Sequence, residues 1–80
     1  MPAIGDRLKE LRDGAGMTQE QLAELLGTTG VAISRYEGNK RKPGCDVITK
    51  IAIAFQVSID WLLGVSDKIR KTPLQPFYNP

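Results

Sequence analysis

Hydrophobic residues recur every three or four positions along most of this chain, which is the spacing of one face of an α-helix. The first series starts at Ile4 and Leu8, has charged residues between its members, and predicts an amphipathic helix that ends near Gly14. No stretch alternates apolar and polar residues as a β-strand does, so the pattern predicts an all-α fold with five helices. The apolar positions of the five helices are Ile4, Leu8, Leu11 and Ala15; Leu22, Ala23, Leu25 and Leu26; Ala32, Ile33 and Tyr36; Val47, Ile48, Ile51, Ala52 and Phe55; and Ile59, Leu62 and Leu63.

Signals for helix starts and ends support this division. Thr18 and Gln21 form a T-x-x-Q capping box, in which the threonine oxygen accepts a backbone N–H and the glutamine reaches back to the cap. Gly27 supplies the left-handed backbone conformation that ends many helices, and Asn39 tolerates that conformation in the loop after the third helix. The other predicted helix starts are Thr28 or Thr29, Gly44 and Ser58.

The second and third helices are joined by a short turn, and the spacing of three residues around this turn indicates how the helices cross. Ala23, Gly27 and Ile33 give A-x-x-x-G-x-x-x-x-x-I. Two helices that cross steeply need a small side chain where their backbones come closest and a residue at the turn that is free to adopt positive φ. Ile33 then packs beneath the pair. The outer face of the third helix is left exposed, and an exposed helix of this size fits the major groove of DNA.

Length and composition indicate one small domain. The chain has 80 residues, of which 41% are hydrophobic and 25% charged. We expect the domain to span residues 1–66. Residues 67–80 contain three of the five prolines and cannot form a regular helix, so we expect either a frayed tail or an arm that docks on a partner or on the domain through Leu74, Phe77 and Tyr78.

Charge is distributed unevenly, although the net charge is only +2. Basic residues cluster in the loop after the third helix, at Lys40, Arg41 and Lys42. Such a run is, taken alone, usually a solvated loop, so it does not by itself indicate nucleic-acid binding.

Several classes of function are disfavoured by the residues that are absent. The chain has no histidine and a single cysteine, Cys45, so it lacks a Ser-His-Asp or Cys-His arrangement, a histidine-based zinc site and an intramolecular disulfide. No apolar run approaches the roughly 20 residues of a membrane span, and the N-terminus has no signal pattern. We therefore expect a cytoplasmic protein that is not an enzyme and has no cofactor, metal site or membrane contact.

Five fragments in order resemble one known family. They are R-L-K-E-L-R at 7–12, M-T-Q-E-Q-L-A at 17–23, I-S-R-Y-E at 33–37, K-R-K-P at 40–43 and V-S-I-D-W-L-L-G at 57–64. Over residues 4–64 the chain is similar to the Cro and phage-repressor type of helix-turn-helix domain, also called the xenobiotic-response-element family. The resemblance implies a lambda-repressor-like domain of five helices, in which helices 2 and 3 form the helix-turn-helix.

The resemblance also implies which residues contact DNA. Gln19 would contact the DNA backbone or clamp base-reading side chains, with Thr18 near a phosphate. Arg35 is the best candidate for direct readout, since a guanidinium can bond guanine O6 and N7 together, although phosphate contact and simple solvation are alternatives. Val31 can touch a thymine methyl group. The complete set of implied DNA-binding residues is Thr18, Gln19, Thr29, Gly30, Val31, Ser34, Arg35, Lys40 and Lys42.

Two departures and two structural expectations accompany this resemblance. Gly30 stands where relatives often carry a long polar reader, and Gln56 stands where relatives have a helix-ending glycine. Arg12 and Glu37 match positions that form an ion pair across the domain in lambdoid repressors. Trp61 matches a core aromatic.

The function implied is that of a sequence-specific transcriptional regulator, most simply a repressor that binds an inverted-repeat operator on double-stranded DNA as a homodimer. One short helix contacts only a few base pairs, and two copies double that number. An activator that touches polymerase, an antitoxin or a restriction-system controller protein would use the same fold. A helical protein-interaction module is the alternative from another class.

Overall fold

The computed structural model describes residues 3–68, which form five α-helices and no strand. The all-α, five-helix prediction is confirmed. Of the predicted tail, 67–80, only the first two residues fall within this range, and 69–80, including Leu74, Phe77 and Tyr78, lie outside it. The helices are α1 (Ile4–Gly14), α2 (Gln19–Leu26), α3 (Gly30–Glu37), α4 (Cys45–Phe55) and α5 (Ile59–Leu62).

Local hydrogen bonds fix the helix starts. The capping box of α2 forms as predicted: Thr18 Oγ1 accepts from the backbone N–H of Gln21 at 3.1 Å, and Gln21 Oε1 accepts from the backbone N–H of Thr18 at 2.8 Å. Thr29 caps α3 by accepting from the N–H of Ala32 at 3.1 Å, which decides between the two threonines. Each cap satisfies a backbone donor that has no partner inside its own helix.

All five helices end in a left-handed residue or lead into one, which is Gly16 after α1 and Gly64 after α5. Gly27 follows α2 with a φ of 69°, as its lack of a β-carbon allows. Asn39 and Gln56 adopt the same region, with φ of 58° and 55°. The backbone N–H of Lys40 then donates to the carbonyl of Arg35 at 2.9 Å, which closes the end of α3. Gln56, which stands where relatives have a helix-ending glycine, is thus left-handed, and its side chain makes that conformation unfavourable by about 1 kcal/mol or more.

One hydrophobic core lies among the five helices. Of the apolar helix positions expected from the pattern, all but Ala15, Leu25, Ile59 and Leu63 are buried or half-buried. The half-buried ones are Ile4, Leu11, Ala32, Val47, Ile48 and Phe55. Val57, which the helical pattern did not include, is also buried. The buried hydrophobic residues are Leu8, Leu22, Ala23, Leu26, Ile33, Tyr36, Ile51, Ala52, Val57, Trp61 and Leu62.

Two leucines assigned to apolar helix faces lie at the surface instead. Leu25 is 53% exposed and Leu63 is 45% exposed. The buried face of α2 is centred between Leu22 and Ala23, and at 100° per residue Leu25 falls beyond its edge. Helix α5 is a single turn, and Leu63 lies just past its last residue.

A buried arginine packs against the core tryptophan. Arg7 is only 9% exposed, and its guanidinium carbon lies 4.3 Å from the centre of the Trp61 ring. This distance is that of a cation–π contact. The pair joins α1 to α5, and it confirms Trp61 as a core residue.

The start of α1 is held against the end of α3. Asn39 Nδ2 donates to Asp6 Oδ1 at 3.2 Å. Gly5 is buried beside them, and a β-carbon added there would overlap the carbonyl oxygen of Tyr36. The two backbones approach so closely that only glycine fits.

Candidate nucleic-acid interface

Helix α3 has one buried side and one exposed side. Ile33 and Tyr36 are buried against the core. Val31 is 62% exposed, and Ser34 and Arg35 are exposed as well. The residues predicted to face DNA thus share the outer surface of α3, because residues three and four apart on a helix lie on one side.

The first turn of α3 carries two more of the predicted residues. Thr29 is exposed and has its hydroxyl oxygen engaged as the helix cap. Gly30 is the first residue of the helix and is half-buried, since the side chain of Glu20 lies beside it. A β-carbon added at Gly30 would lie 2.6 Å from Glu20 Oε2.

Gln19 is anchored by a buried ion pair. Its amide Nε2 donates to Glu37 Oε1 at 3.2 Å. The same carboxylate binds Arg12, whose Nε donates to Oε2 at 2.6 Å and whose Nη2 donates to Oε1 at 3.0 Å. Arg12 Nη1 donates in turn to the carbonyl of Met17 at 2.7 Å. The expected Arg12–Glu37 pair is confirmed, and it connects α1, α2 and α3.

Hydrogen bonding within this cluster favours the charged form of the Arg12 guanidinium. The hydrogen bond from Arg12 to Glu37 raises the pKa of the Arg12 guanidinium, and this effect outweighs burial, which acts in the opposite direction. The glutamine amide therefore donates to a carboxylate that is itself bound by a charged arginine.

The basic loop divides between two surfaces. Lys40 is exposed directly after α3 and is fixed there by its backbone bond to Arg35. Lys42 is also exposed but lines a cavity of about 380 Å³ together with Ala3, Ile4 and Leu63. Lys40 is therefore brought next to the predicted reading helix, whereas Lys42 lies where the loop meets α1 and α5.

The chemistry available at this surface is hydrogen bonding and charge. Thr18 and Ser34 contribute hydroxyls, Gln19 an amide, Arg35 a guanidinium and Lys40 an ammonium group. In protein–DNA complexes, side-chain groups of these kinds bind phosphate oxygens and base edges. Between residues 3 and 68, no three His, Cys, Asp or Glu side chains are grouped to hold a metal ion, and no helix is long and apolar enough to cross a membrane.

A helix-turn-helix family profile matches residues 8–62, which is most of the chain. The chain belongs to the helix-turn-helix family. This family comprises DNA-binding transcription regulators and not enzymes. The resemblance inferred from the sequence is thereby confirmed.

Individual relatives agree with this assignment. The transcriptional regulator ImmR of Bacillus subtilis is 39% identical over 69 residues, covering 86% of this chain and 54% of ImmR. The transcriptional activator BcrR of Enterococcus faecalis is 36% identical over 82 residues, covering 95% of this chain and 40% of BcrR. The chain thus spans about half the length, or less, of these two regulators.

Solved structures share the fold. The P22 c2 repressor, in complex with a synthetic operator, superposes with a TM-score of 0.76 at 27% identity, over 82% of this chain and all of the repressor chain. The biofilm regulator SinR, in complex with DNA, gives a TM-score of 0.67 at 30% identity, over 74% of this chain and 95% of the SinR chain in that structure. These structures confirm a phage-repressor-like domain.

Two features of the site could not be found from the sequence. Glu37 was expected to pair with Arg12, but its hydrogen bond to Gln19 links positions 18 residues apart on different helices. The approach of Glu20 to Gly30 likewise arises from the crossing of α2 and α3. Glycine at the first position of α3 was the available signal, since it leaves space that a neighbouring side chain can enter.

Proposed function

We propose that this chain is the DNA-binding part of a cytoplasmic transcriptional regulator that represses by occupying its operator. The exposed outer side of α3, with Val31, Ser34 and Arg35 on a helix whose opposite side is buried, carries this proposal. A helix presented in this way can enter the major groove, where each base pair displays its own pattern of donors and acceptors. Repression requires only that bound protein exclude polymerase, which one small domain can do.

The proposed contacts fall into two groups. Thr29, Gly30, Val31, Ser34 and Arg35 face the bases, with Arg35 as the main reader and Val31 against a thymine methyl group. Thr18, Gln19, Lys40 and Lys42 face the phosphates and position the helix. Support comes from relatives whose names include the phage repressor RstR of Vibrio cholerae, and from the P22 c2 repressor structure with its operator.

The operator is proposed to be an inverted repeat bound by a homodimer. A single α3 of eight residues can reach only a few base pairs, and a symmetric dimer doubles that contact. Ile53 and Val65 are apolar, and they are 68% and 64% exposed, so the C-terminal third of the described chain has apolar surface available for a second copy.

Selection of bound sequences from a random DNA pool tests this function. We expect enrichment of inverted repeats whose half-site centres lie about 10 base pairs apart, with two protein chains per duplex at saturation. Recovery of unrelated sequences with no shared half-site would contradict sequence-specific binding. One chain per duplex would contradict the dimer while leaving DNA recognition intact.

Substitutions at Arg35 and Lys40 separate base contacts from phosphate contacts. Arg35→Ala should weaken binding to the selected site by about 1–3 kcal/mol. It should therefore narrow the difference in affinity between the selected site and scrambled DNA. Lys40→Ala and Lys42→Ala should each weaken binding to both duplexes by a similar factor. Each should also lower the slope of log affinity against log salt concentration by about one. Titrations on both duplexes at several salt concentrations measure these effects.

Lys9→Ala is the matched control, because Lys9 is an exposed lysine on α1, outside the proposed contacts. It should change neither affinity nor salt slope. If Arg35→Ala preserved the ratio of affinities while a loop lysine altered it, the loop would be the reader and the assignment would be reversed.

A further inference from the structure

We propose that Glu20 is a specificity-determining residue that selects cytosine at one position of each half-site. This inference rests on the proposed DNA-binding function and deepens it. The set of reading residues inferred from the sequence does not include Glu20, which belongs to α2 and not to the reading helix.

The position of the Glu20 carboxylate relative to α3 is the first observation. Glu20 is the second residue of α2, yet its Oε2 and Cδ would lie 2.6 Å and 3.1 Å from a β-carbon at Gly30. The carboxylate therefore occupies the space into which a side chain at position 30 would grow. Residue 30 lies between Thr29 and Val31, both exposed on the proposed reading surface.

The second observation is that this carboxylate has no partner within residues 3–68. No lysine or arginine there lies within 4.0 Å of it, and no described donor makes a hydrogen bond to it. Glu20 is exposed, so both oxygens remain free to accept hydrogen bonds. The dipole of α2 favours a negative charge in its first turn, where Glu20 lies. Beside bound DNA the same charge is repelled by phosphates, and a donor on the bases would give it a partner.

The chemistry of the base edges then selects cytosine. An ionised carboxylate only accepts hydrogen bonds. In the major groove, guanine offers the acceptors N7 and O6, thymine offers O4, and adenine places its N7 acceptor next to its N6 donor. Cytosine alone presents a donor, N4, without an acceptor of its own. A carboxylate over Gly30 thus favours cytosine and opposes guanine and thymine, and it gains less at adenine, where the N7 acceptor lies beside the N6 donor.

Replacing Glu20 by its neutral isostere, glutamine, tests whether the carboxylate selects cytosine. Glu20→Gln keeps the shape of the side chain but gives it one donor and one acceptor, which matches N6 and N7 of adenine. Selection from a random DNA pool with this variant should move one position of each half-site from cytosine to adenine. Glu20→Ala should lose the preference at that position, a change of about 5- to 150-fold in relative affinity.

Glu24→Gln is the control, since Glu24 is an exposed carboxylate one turn further along α2. It should select the same half-site as the parent protein. Thermal unfolding by circular dichroism shows whether each variant is folded, and a purely structural role for Glu20 at the start of α3 would lower the melting temperature without changing the selected bases.

The outcomes separate the two proposals. If the parent protein selects a half-site and Glu20→Gln selects the same bases at every position, the role of Glu20 is overturned while the proposed function stands. A uniform gain in affinity for all sequences would show simple charge repulsion and would also overturn it. If the parent selects no sequence, the proposed function itself fails.

Discussion

Gly5 lies where the backbone of α1 comes closest to the end of α3. The obstacle to a larger residue is a backbone carbonyl, that of Tyr36, which cannot rotate away as a side chain can. Gly14, at the other end of the same helix, has open space around it. The two glycines of one helix therefore differ in what they do: the first permits a contact between helices, and the second has no steric role.

Substitution by alanine should distinguish these two glycines. Gly5→Ala should lower the free energy of unfolding by about 1–3 kcal/mol, because the added methyl group forces the α1–α3 contact apart. Gly14→Ala should leave stability unchanged or raise it by up to about 1 kcal/mol, since alanine favours the helix. Urea denaturation of the three proteins measures both values. Equal effects would contradict the close approach at Gly5.

Single residues were predictable where their constraint is local. Asn39 and Gln56 follow helix ends, where a left-handed residue is common, and both adopt that conformation. Gly5 and the contact of Arg7 with Trp61 depend on segments that meet only in the folded chain. Nothing in the neighbouring sequence marks such contacts.

Helices α2 and α3 act as a unit because a small residue and a turn glycine join them. Ala23 is 3% exposed and lies on the buried side of α2. Leu25, two residues further on, is exposed, although the pattern of leucines placed it on the same face. The spacing of apolar residues thus predicted the existence of each helix better than it predicted the edge of each buried face.

A pair of substitutions in α2 tests this distinction. Ala23→Leu should lower the free energy of unfolding by about 1–3 kcal/mol, because three added carbons do not fit where the side chain is buried. Leu25→Ala should change it by less than about 0.5 kcal/mol, as expected of an exposed position. Thermal and urea unfolding provide the comparison. A larger effect at Leu25 than at Ala23 would contradict the observed orientation of α2.

Glu37 connects three of the five helices, α1, α2 and α3. Its side chain is only 5% exposed, and its two oxygens bind groups from α1 and α2 while its backbone belongs to α3. Removing a buried carboxylate of this kind lowers the free energy of unfolding strongly, because the arginine that it neutralises is left without a counter-charge. Stability and the placement of Gln19 therefore depend on one side chain.

Glu37→Gln should lower the free energy of unfolding by about 3 kcal/mol, as expected when one partner of a buried pair is removed. Asp13→Asn is the control: Asp13 also lies near Arg12, at 3.4 Å, but is 58% exposed, and its loss should cost less than about 1 kcal/mol. Urea denaturation measures both. Equal losses would show that burial does not distinguish the two pairs.

The pH dependence of this pair follows from Arg12. Because Glu37 raises the pKa of Arg12, the contribution of the guanidinium to stability is complete at every pH below its ordinary value and is lost only above the raised one. Raising the pH from about 7 to 10 should therefore leave the difference in unfolding free energy between the parent and Glu37→Gln unchanged. Calorimetry at both pH values checks this.

Two hydrogen bonds on the Glu37 carboxylate connect Gln19, a proposed DNA contact, to the half-buried Arg12. Under the proposed role of Gln19, its amide is already oriented before DNA binds. The side chain therefore loses its conformational entropy when the protein folds, and this loss does not reduce the affinity for DNA. A genetic screen for variants that fail to bind the operator would then recover substitutions at Arg12, which lies outside the set of proposed DNA contacts. The coupling free energy between two events is the same in both directions. The free energy that the Arg12–Glu37 pair contributes to operator affinity would therefore equal the free energy by which bound operator DNA stabilises that pair.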